Sequence, residues 1–341
     1  MAVDLYRKDR LVASFDGKGV LTFLDEINAP QIVKRTHSLE AFKLQRESDV
    51  TRTNMRFLRR LMGFSSLSVR KALDKIHGFS LFDTFWYQNV GEHLIWSQVC
   101  LKKNDAFKAA LTGREQDPSV FDDPKTPEHS NIGSYEKGWK IEDGSWYLYK
   151  VGTPEQLWSE IFATCLLATK GVNVVKYWLD NSCVVCENFI DQSNDICLEH
   201  YNSFGGEDAE ESTVLHLPFL TNKLKRDLEI MYYCDALLMN FDRHGFNFGF
   251  LTQGDSLELA PLFDWNLCLF GYQYPLSYTR KPDPLIRGVL NENIEPPFTL
   301  TKDEIKEIFK EVKHETGLTI NASVEQVVEY LLSSQELLSK S

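Results

Sequence analysis

The 341-residue chain lacks any apolar run long enough to cross a bilayer. Its first fifteen residues also lack the apolar stretch of a secretion signal, because Asp4, Arg7, Lys8, Asp9 and Arg10 interrupt it. A cytoplasmic location is the expectation that follows. A disulfide framework is missing as well: Cys100, Cys165, Cys183, Cys186, Cys197, Cys234 and Cys268 form an odd, scattered set that reads as reduced thiols. Cys183 and Cys186 have half the spacing of a zinc or redox site. No second cysteine pair or suitably spaced histidine pair accompanies them, and they fall in a β-rich run from Val174 to Ile190. Two thiols on a strand is the expectation. The glycine-rich nucleotide loops are absent too: Gly17-Lys18-Gly19 continues into neither fingerprint and reads as a turn.

Positive charge is in short supply, with 37 Lys and Arg against 49 Asp and Glu and a net charge of −12. It is also unevenly placed. From Lys34 to His77 there are eleven Lys and Arg against four acids, a local +7, so the remainder carries −19. Arg52, Arg56, Arg59 and Arg60 recur at helical spacing beside Phe57, Leu58, Leu61 and Met62, the pattern of an amphipathic helix with a basic face. Such a face can meet an acidic partner or a nucleic acid, and equally can be matched within the chain or solvated. No nucleic-acid-binding motif accompanies it, so direct nucleic-acid binding is not expected.

What is present is an ordinary globular composition, 43% hydrophobic and 25% charged, in a chain longer than one core usually organises. Two lobes are expected. Leu11–Phe15 and Val20–Leu24 read as strands around a turn, Ser38 to about Ile76 as helical and basic, and Phe79–Trp96 as an aromatic segment. The polar, Pro-containing stretch 116–130 reads as a linker after a first subdomain, 1–115. Beyond the flexible loop Asn131–Gly138, Trp139–Ile141 and Trp146–Lys150 flank Asp143-Gly144, a strong hairpin signal. Thr153, Pro154 and Gln156 then open a helix through a capping box, and it runs to about Lys170. Residues 131–195 are thus expected to form a small β-rich lobe and 196–341 a mostly helical one. Within the latter, helices are expected at Asn222–Asn240, Lys302–Val312 and Val324–Leu338.

Chemistry concentrates in Asn240-Phe-Asp242-Arg243-His244-Gly-Phe-Asn247-Phe-Gly249 and Ala260-Pro261-Leu-Phe263-Asp264. Folding the intervening strands about Gly254 sets 247 opposite 261 and 244 opposite 264, which gathers Asp242, Asn247 and Asp264 at one end of a β-ribbon. Phosphoryl transfer needs such a group: one carboxylate for the proton of the attacking hydroxyl, with an amide oxygen and a second carboxylate as hard ligands to Mg²⁺. Asp242 would be the base, and Asn247 and Asp264 the metal ligands. The other reading is a polar helix-to-strand turn with Asn and Asp as turn and cap residues. His244 is a candidate base or ligand, but a loop-shaping hydrogen bond explains it as well. A lysine on the phosphates, held by a helical carboxylate, completes the set in kinases. Lys150, on one strand face with Trp146 and Leu148, and Glu160, beside Leu157, Ile161, Thr164 and Ala168, are candidates. Lys140 competes with Lys150.

At these residues the sequence resembles the HipA-like kinases, whose catalytic loop reads Asn-x-Asp-x-His-x-x-Asn and whose metal aspartate follows Pro-x-Phe. Asp242-Arg243-His244 is also similar to the loop of phosphatidylinositol kinases and related atypical kinases. More loosely, Gly78–Trp86 resembles a segment of HipA-like proteins, and Val184–Ile190 resembles a hinge strand. The resemblance implies an α+β, two-lobed kinase-like fold with a β-rich N-lobe and a mostly helical C-lobe. It implies ATP and Mg²⁺ as cofactors, and Ser/Thr phosphorylation of a protein substrate. Several members of the family are toxins restrained by an antitoxin, so an antitoxin-like partner is a further implication. Carried over residue by residue, Asp242 is the base, with His244 in the catalytic loop. Asn247 and Asp264 become Mg²⁺ ligands, Lys150 and Glu160 the nucleotide-binding pair, and Gly133-Ser134 part of a phosphate loop. The signatures Gly-x-Gly-x-x-Gly, His-Arg-Asp, Asp-Phe-Gly and Walker A are absent. A lipid or small-molecule kinase, or a non-catalytic interaction protein on a kinase scaffold, remain the alternative readings.

Overall fold

Short antiparallel pairings begin the chain. In a computed structural model, which describes residues 1–47, 58, 69–112, 125–131, 135–205, 214–271 and 280–339, β1 (Val3–Arg7) pairs with β2 (Arg10–Phe15). β3 (Leu21–Phe23) extends the sheet beyond β2, giving the order β3-β2-β1-β4 once β4 (Phe85–Asn89) joins β1. Strand β1 lies outside the strands expected from the sequence, because Asp4 and Arg7 break its apolar pattern. Leu5, Val12, Phe15, Phe85 and Tyr87 pack against Ile32 and Val33 of α1 (Gln31–Thr36) and Phe42 of α2 (Leu39–Leu44). This burial supplies the main attraction between sheet and helices. Gly78, just after α3 (Val69–Lys75), sits at φ +69° against Tyr87. A Cβ there would come within 2.3 Å of the Tyr87 ring, so glycine alone fits.

The expected basic helix Arg52–Arg60, apart from Leu58, and residues 116–124 of the expected linker lie outside the described residues. Beyond α4 (Phe107–Thr112), β5 (Lys137–Glu142) and β6 (Ser145–Lys150) form the hairpin expected at Asp143-Gly144. Both turn residues have positive φ, +49° and +87°, which matches the twist of the flanking strands. Buried Glu128 braces the start of β5: its carboxylate accepts from the Trp139 N–H (2.8 Å) and from the amides of Asn104 and Asn131.

The described chain falls into two compact units. The first is Met1–Val151 with Glu187–Glu199 and Phe250–Leu257, and the second is Gly152–Cys186 with His200–Gly249 and Glu258–Ser341. The second opens on α5 (Pro154–Thr169), whose Thr153 cap and Gln156 form the expected capping box. Trp158 stacks on Phe162 (4.4 Å) and meets Phe270 and Phe309 edge-on or tilted, a dense aromatic core. β7 (Trp178–Asp180) and β8 (Cys183–Glu187) make a second hairpin, with Cys183 and Cys186 on β8, neither in a disulfide. β9 (Cys197–His200) precedes α6 (Asn222–Leu238), which Thr221 caps and which buries Leu224, Leu228 and Met231. β10 (Gly249–Gln253) and β11 (Ser256–Leu259) join β9 in a sheet of order β11-β10-β9. Helices α7 (Pro284–Asn291), α8 (Lys302–Thr316) and α9 (Val324–Leu338) follow. The last two start on capping boxes at Thr301/Glu304 and Ser323/Gln326.

The fold is α+β, with antiparallel sheets and long helices. No described helix is long and apolar enough to cross a membrane. One expected register needs correcting. The Ala260 N–H donates to the Gly249 carbonyl (3.0 Å), and the strands turn over Gly254-Asp255. That sets 249 against 260, one residue away from the pairing read from the sequence, because a two-residue turn replaces one centred on Gly254. Ala168, expected in the apolar stripe of α5, is exposed instead, since the stripe ends at Leu167.

Candidate functional site

The site grows from the end of α6. Leu228, Met231 and Leu238 line its buried face, and Asp235 stands in the same stripe, where an apolar residue is the rule. Met239 ends the helix in the left-handed conformation (φ +57°), its N–H donating to the Asp235 carbonyl. The buried Arg280 guanidinium caps that end by donating to the carbonyls of Ala236 and Leu237. The Asn240 N–H then donates to the Asp235 carbonyl (2.9 Å), and its Nδ2 donates to Asp235 Oδ1 (2.8 Å).

The next turn carries the chemistry. Arg243 donates from Nε and Nη2 to the Asp235 carboxylate at 3.0–3.2 Å, with side chains only 4% and 1% exposed. Burial works against the Asp235 carboxylate, while Arg243 and Asn240 offset it. Arg243 Nη1 donates to the main-chain carbonyls of Asn247 and, at 2.8 Å, Phe263. Its guanidinium lies 4.7 Å over the Trp265 ring. Asn247 is buried and donates from Nδ2 to the Asp242 carbonyl (2.7 Å) and to Asp242 Oδ2 (3.2 Å). Gly245 is pressed on Asn202, whose N–H donates to its carbonyl; a Cβ at 245 would meet Asn202 Oδ1 at 1.9 Å. A side chain at 245 would therefore force Asn202 to move.

Asp264 follows a single parallel bridge at Leu262: the Leu262 N–H donates to the Asn173 carbonyl and the Val175 N–H to the Leu262 carbonyl. It adopts φ +67°, a conformation that costs a non-glycine residue about 1 kcal/mol or more. Its N–H donates to the Tyr177 hydroxyl (3.5 Å), and Leu269 beyond it donates to the Leu238 carbonyl. The Asp242 carboxyl is raised above its ordinary range, first by burial and then by the negative charge of Asp264. His244, the Asn247 bond and Arg243 pull the other way. Two carboxylates close enough to repel, beside an amide whose nitrogen is committed to one of them, gather hard oxygen atoms in one place. That donor set fits Mg²⁺, which takes a few carboxylate or amide oxygens and keeps several waters. Among the described residues no three His, Cys, Asp or Glu side chains form a metal cluster; the set here is two carboxylates and one amide.

The remaining sequence candidates stand as follows. His244 is exposed, and its Nδ1 accepts from the Phe246 N–H (3.2 Å), the loop-shaping bond considered above. Lys150 ends β6 in the first unit and is half-buried; Glu160 is buried on α5 in the second. Lys140 and Lys150 occupy opposite faces of the β5–β6 hairpin, since 140 opposes 147 while 150 opposes 137. Lys140 pairs with Glu142 and lies over the Phe107 and Tyr149 rings, whereas the face of Lys150 carries buried Trp139 and Leu148. Gly133 and Ser134 lie outside the described residues. Sequence reasoning missed Asp235 and the work of Arg243. The signal for the first was an acid inside the apolar stripe of α6, and for the second an arginine eight residues on.

No protein-family model matches the chain, and no curated protein does. Among solved structures, the chain is similar to the proinflammatory kinase CtkA of Helicobacter pylori. Identity is 22% and the TM-score 0.42, over 60% of this chain and 90% of that one. It is also similar to a Shewanella oneidensis MR-1 toxin–antitoxin complex of HipA, HipB and operator DNA. There the identity is 12% and the TM-score 0.49, over 99% of this chain and 96% of that one.

Proposed function

We propose that the chain is an ATP- and Mg²⁺-dependent phosphotransferase that phosphorylates a serine or threonine hydroxyl of a protein. One observation carries the reading: the Asp242 carboxylate is held by the Asn247 amide and crowded by the charge of Asp264, itself kept in a left-handed backbone conformation. Bound Mg-ATP supplies the transferable phosphoryl group and the positive charge that offsets the negative charge of the transition state. The chain's own residues do the rest. Asp242 would take the proton of the acceptor hydroxyl as its oxygen bonds to the γ-phosphorus and the bond to the departing ADP breaks, and the raised carboxyl makes it a better proton acceptor. Asn247 and Asp264 offer the hard oxygen ligands. Lys150 is assigned to the phosphates and Glu160 to orienting it; the backbone at Gly133-Ser134 is assigned to cradling them. These three assignments draw on the HipA-like motif alone.

Incubation of the purified chain with γ-labelled ATP and Mg²⁺ tests the proposal. Label should appear on serine or threonine, in the chain or in an added protein, and Asp242→Asn should lower it by about 10²- to 10⁴-fold. Undiminished labelling in Asp242→Asn, or none in the wild type, ends the reading. Label that appears only with an inositol lipid would replace the protein acceptor by a lipid.

A further inference from the structure

Arg243 is charged, almost fully buried, and has no task in the transfer itself. Its Nη1 donates at once to the carbonyl of Asn247 and to the carbonyl of Phe263. The first carbonyl belongs to one assigned metal ligand, and the second immediately precedes the other. Those two segments reach the site independently, one from the turn after α6 and one along the segment that follows β11. One nitrogen shared between two carbonyls restricts how far they can separate. The guanidinium is itself immobilised, because Nε and Nη2 are committed to Asp235 and the Trp265 ring lies against its face. Asp235 is in turn fixed by Asn240.

We propose that Arg243, clamped by Asp235, is a positioning residue that sets the spacing of Asn247 and Asp264 and so the geometry of their divalent-cation site. The cation rests on the phosphotransferase reading; the spacing rests on the contacts alone. Lysine at 243 would keep the charge but not the planar fork, so the bonds to Asp235 and to both carbonyls could not all survive. A pair that served packing only would behave differently. Replacing both partners by apolar residues of similar volume often leaves stability intact, and would then leave the cation site intact too.

The test compares wild type, Arg243→Lys and the double variant Asp235→Leu/Arg243→Met. Mn²⁺ binding with a non-hydrolysable ATP analogue is followed by electron paramagnetic resonance. Hydrogen exchange of the nucleotide-free protein is followed in peptides covering 240–249 and 260–267, and thermal melting is recorded alongside. Both variants should bind Mn²⁺ about 10- to 100-fold more weakly. Exchange should rise in those two peptides while α8 and α9 keep their protection. Wild-type Mn²⁺ affinity in a double variant that melts like the parent overturns the proposal. Should the double variant not fold, wild-type affinity in Arg243→Lys overturns it equally. If the wild-type chain itself takes up no Mn²⁺ with the analogue, the phosphotransferase reading fails. Exchange then decides the spacing by itself: unchanged exchange sinks the clamp, and a rise confined to the two peptides keeps it.

Discussion

Arg7 in the first unit and Arg243 in the second are built alike, and their surroundings differ. Arg7 is 3% exposed, pairs through Nε with Asp195, donates from Nη2 to the carbonyls of Asp195 and Thr252, and lies over the Phe85 ring. Arg243 repeats each feature with Asp235, the carbonyls of Asn247 and Phe263, and Trp265. Around Arg7 the carboxylates end on donors supplied by the fold. Asp195 accepts from the Thr84 hydroxyl, and Glu199 accepts from the Gln31 N–H and the Thr252 hydroxyl. Around Arg243, Asp242 receives one side-chain amide and is repelled by Asp264. A buried arginine staple thus ties two carbonyls from separate segments in both places. What singles out the second is the weight of like charge: after burial, Asp264 acts most strongly on Asp242, whereas at Glu199 the charge of Asp83 comes after the bonds to Gln31 and Thr252 and the charge of Lys34.

Breaking the first staple should have the largest effect. Arg7→Ala leaves the carbonyls of Asp195 and Thr252 without their donor and the half-exposed Asp195 carboxylate without its counter-charge, and should cost about 2–4 kcal/mol in a denaturant titration. Phosphoryl transfer per folded molecule should be retained; a loss below 1 kcal/mol would mean that Arg7 is not the staple described.

Next comes a pH effect at Glu199, whose carboxyl burial pushes up to about 6 from an ordinary 4.5. The folded state then binds this proton more tightly than the unfolded state. The associated stability is present in full below 4.5 and is lost as pH rises through about 6, a change of about 2 kcal/mol. Glu199→Gln should flatten that part of the stability profile, measured by unfolding between pH 4 and pH 7. A slope unchanged by the substitution would assign it elsewhere.

The smallest effect has the opposite sign. Asp264→Asn removes the charge facing Asp242, and asparagine tolerates the left-handed backbone at 264. Stability should rise by about 1 kcal/mol while transfer is lost, the exchange of stability for function expected at a site under electrostatic tension. A fall in melting temperature would show that Asp264 is a structural carboxylate like Asp195, and the contrast between the two arginines would vanish.

Much of the local structure is legible in the sequence because its bonds run between near neighbours. Asp143-Gly144 specifies its hairpin, and Thr153/Gln156 specifies the start of α5, through contacts within three residues. The nearness of Asp242 and Asn247 is legible for the same reason, five residues apart in one turn. Asp264 is legible with a one-residue error, since the turn over Gly254-Asp255 could equally have been placed one position away. Strand β1 is not legible, because the partner that allows Arg7 to be buried stands 188 residues further on.

The sequence by itself determined the β5–β6 hairpin, the capped starts of the long helices, and which oxygen-bearing side chains one ribbon collects. Tertiary structure alone decided that Asp235 can stand in an apolar stripe, that Arg243 reaches two carbonyls from separate segments, and that Lys140 and Lys150 point to opposite faces. Hydrogen bonds of short span leave a periodic trace in the residues. A buried charge finds its counter-charge only after distant segments have packed, so nothing in the local pattern announces it.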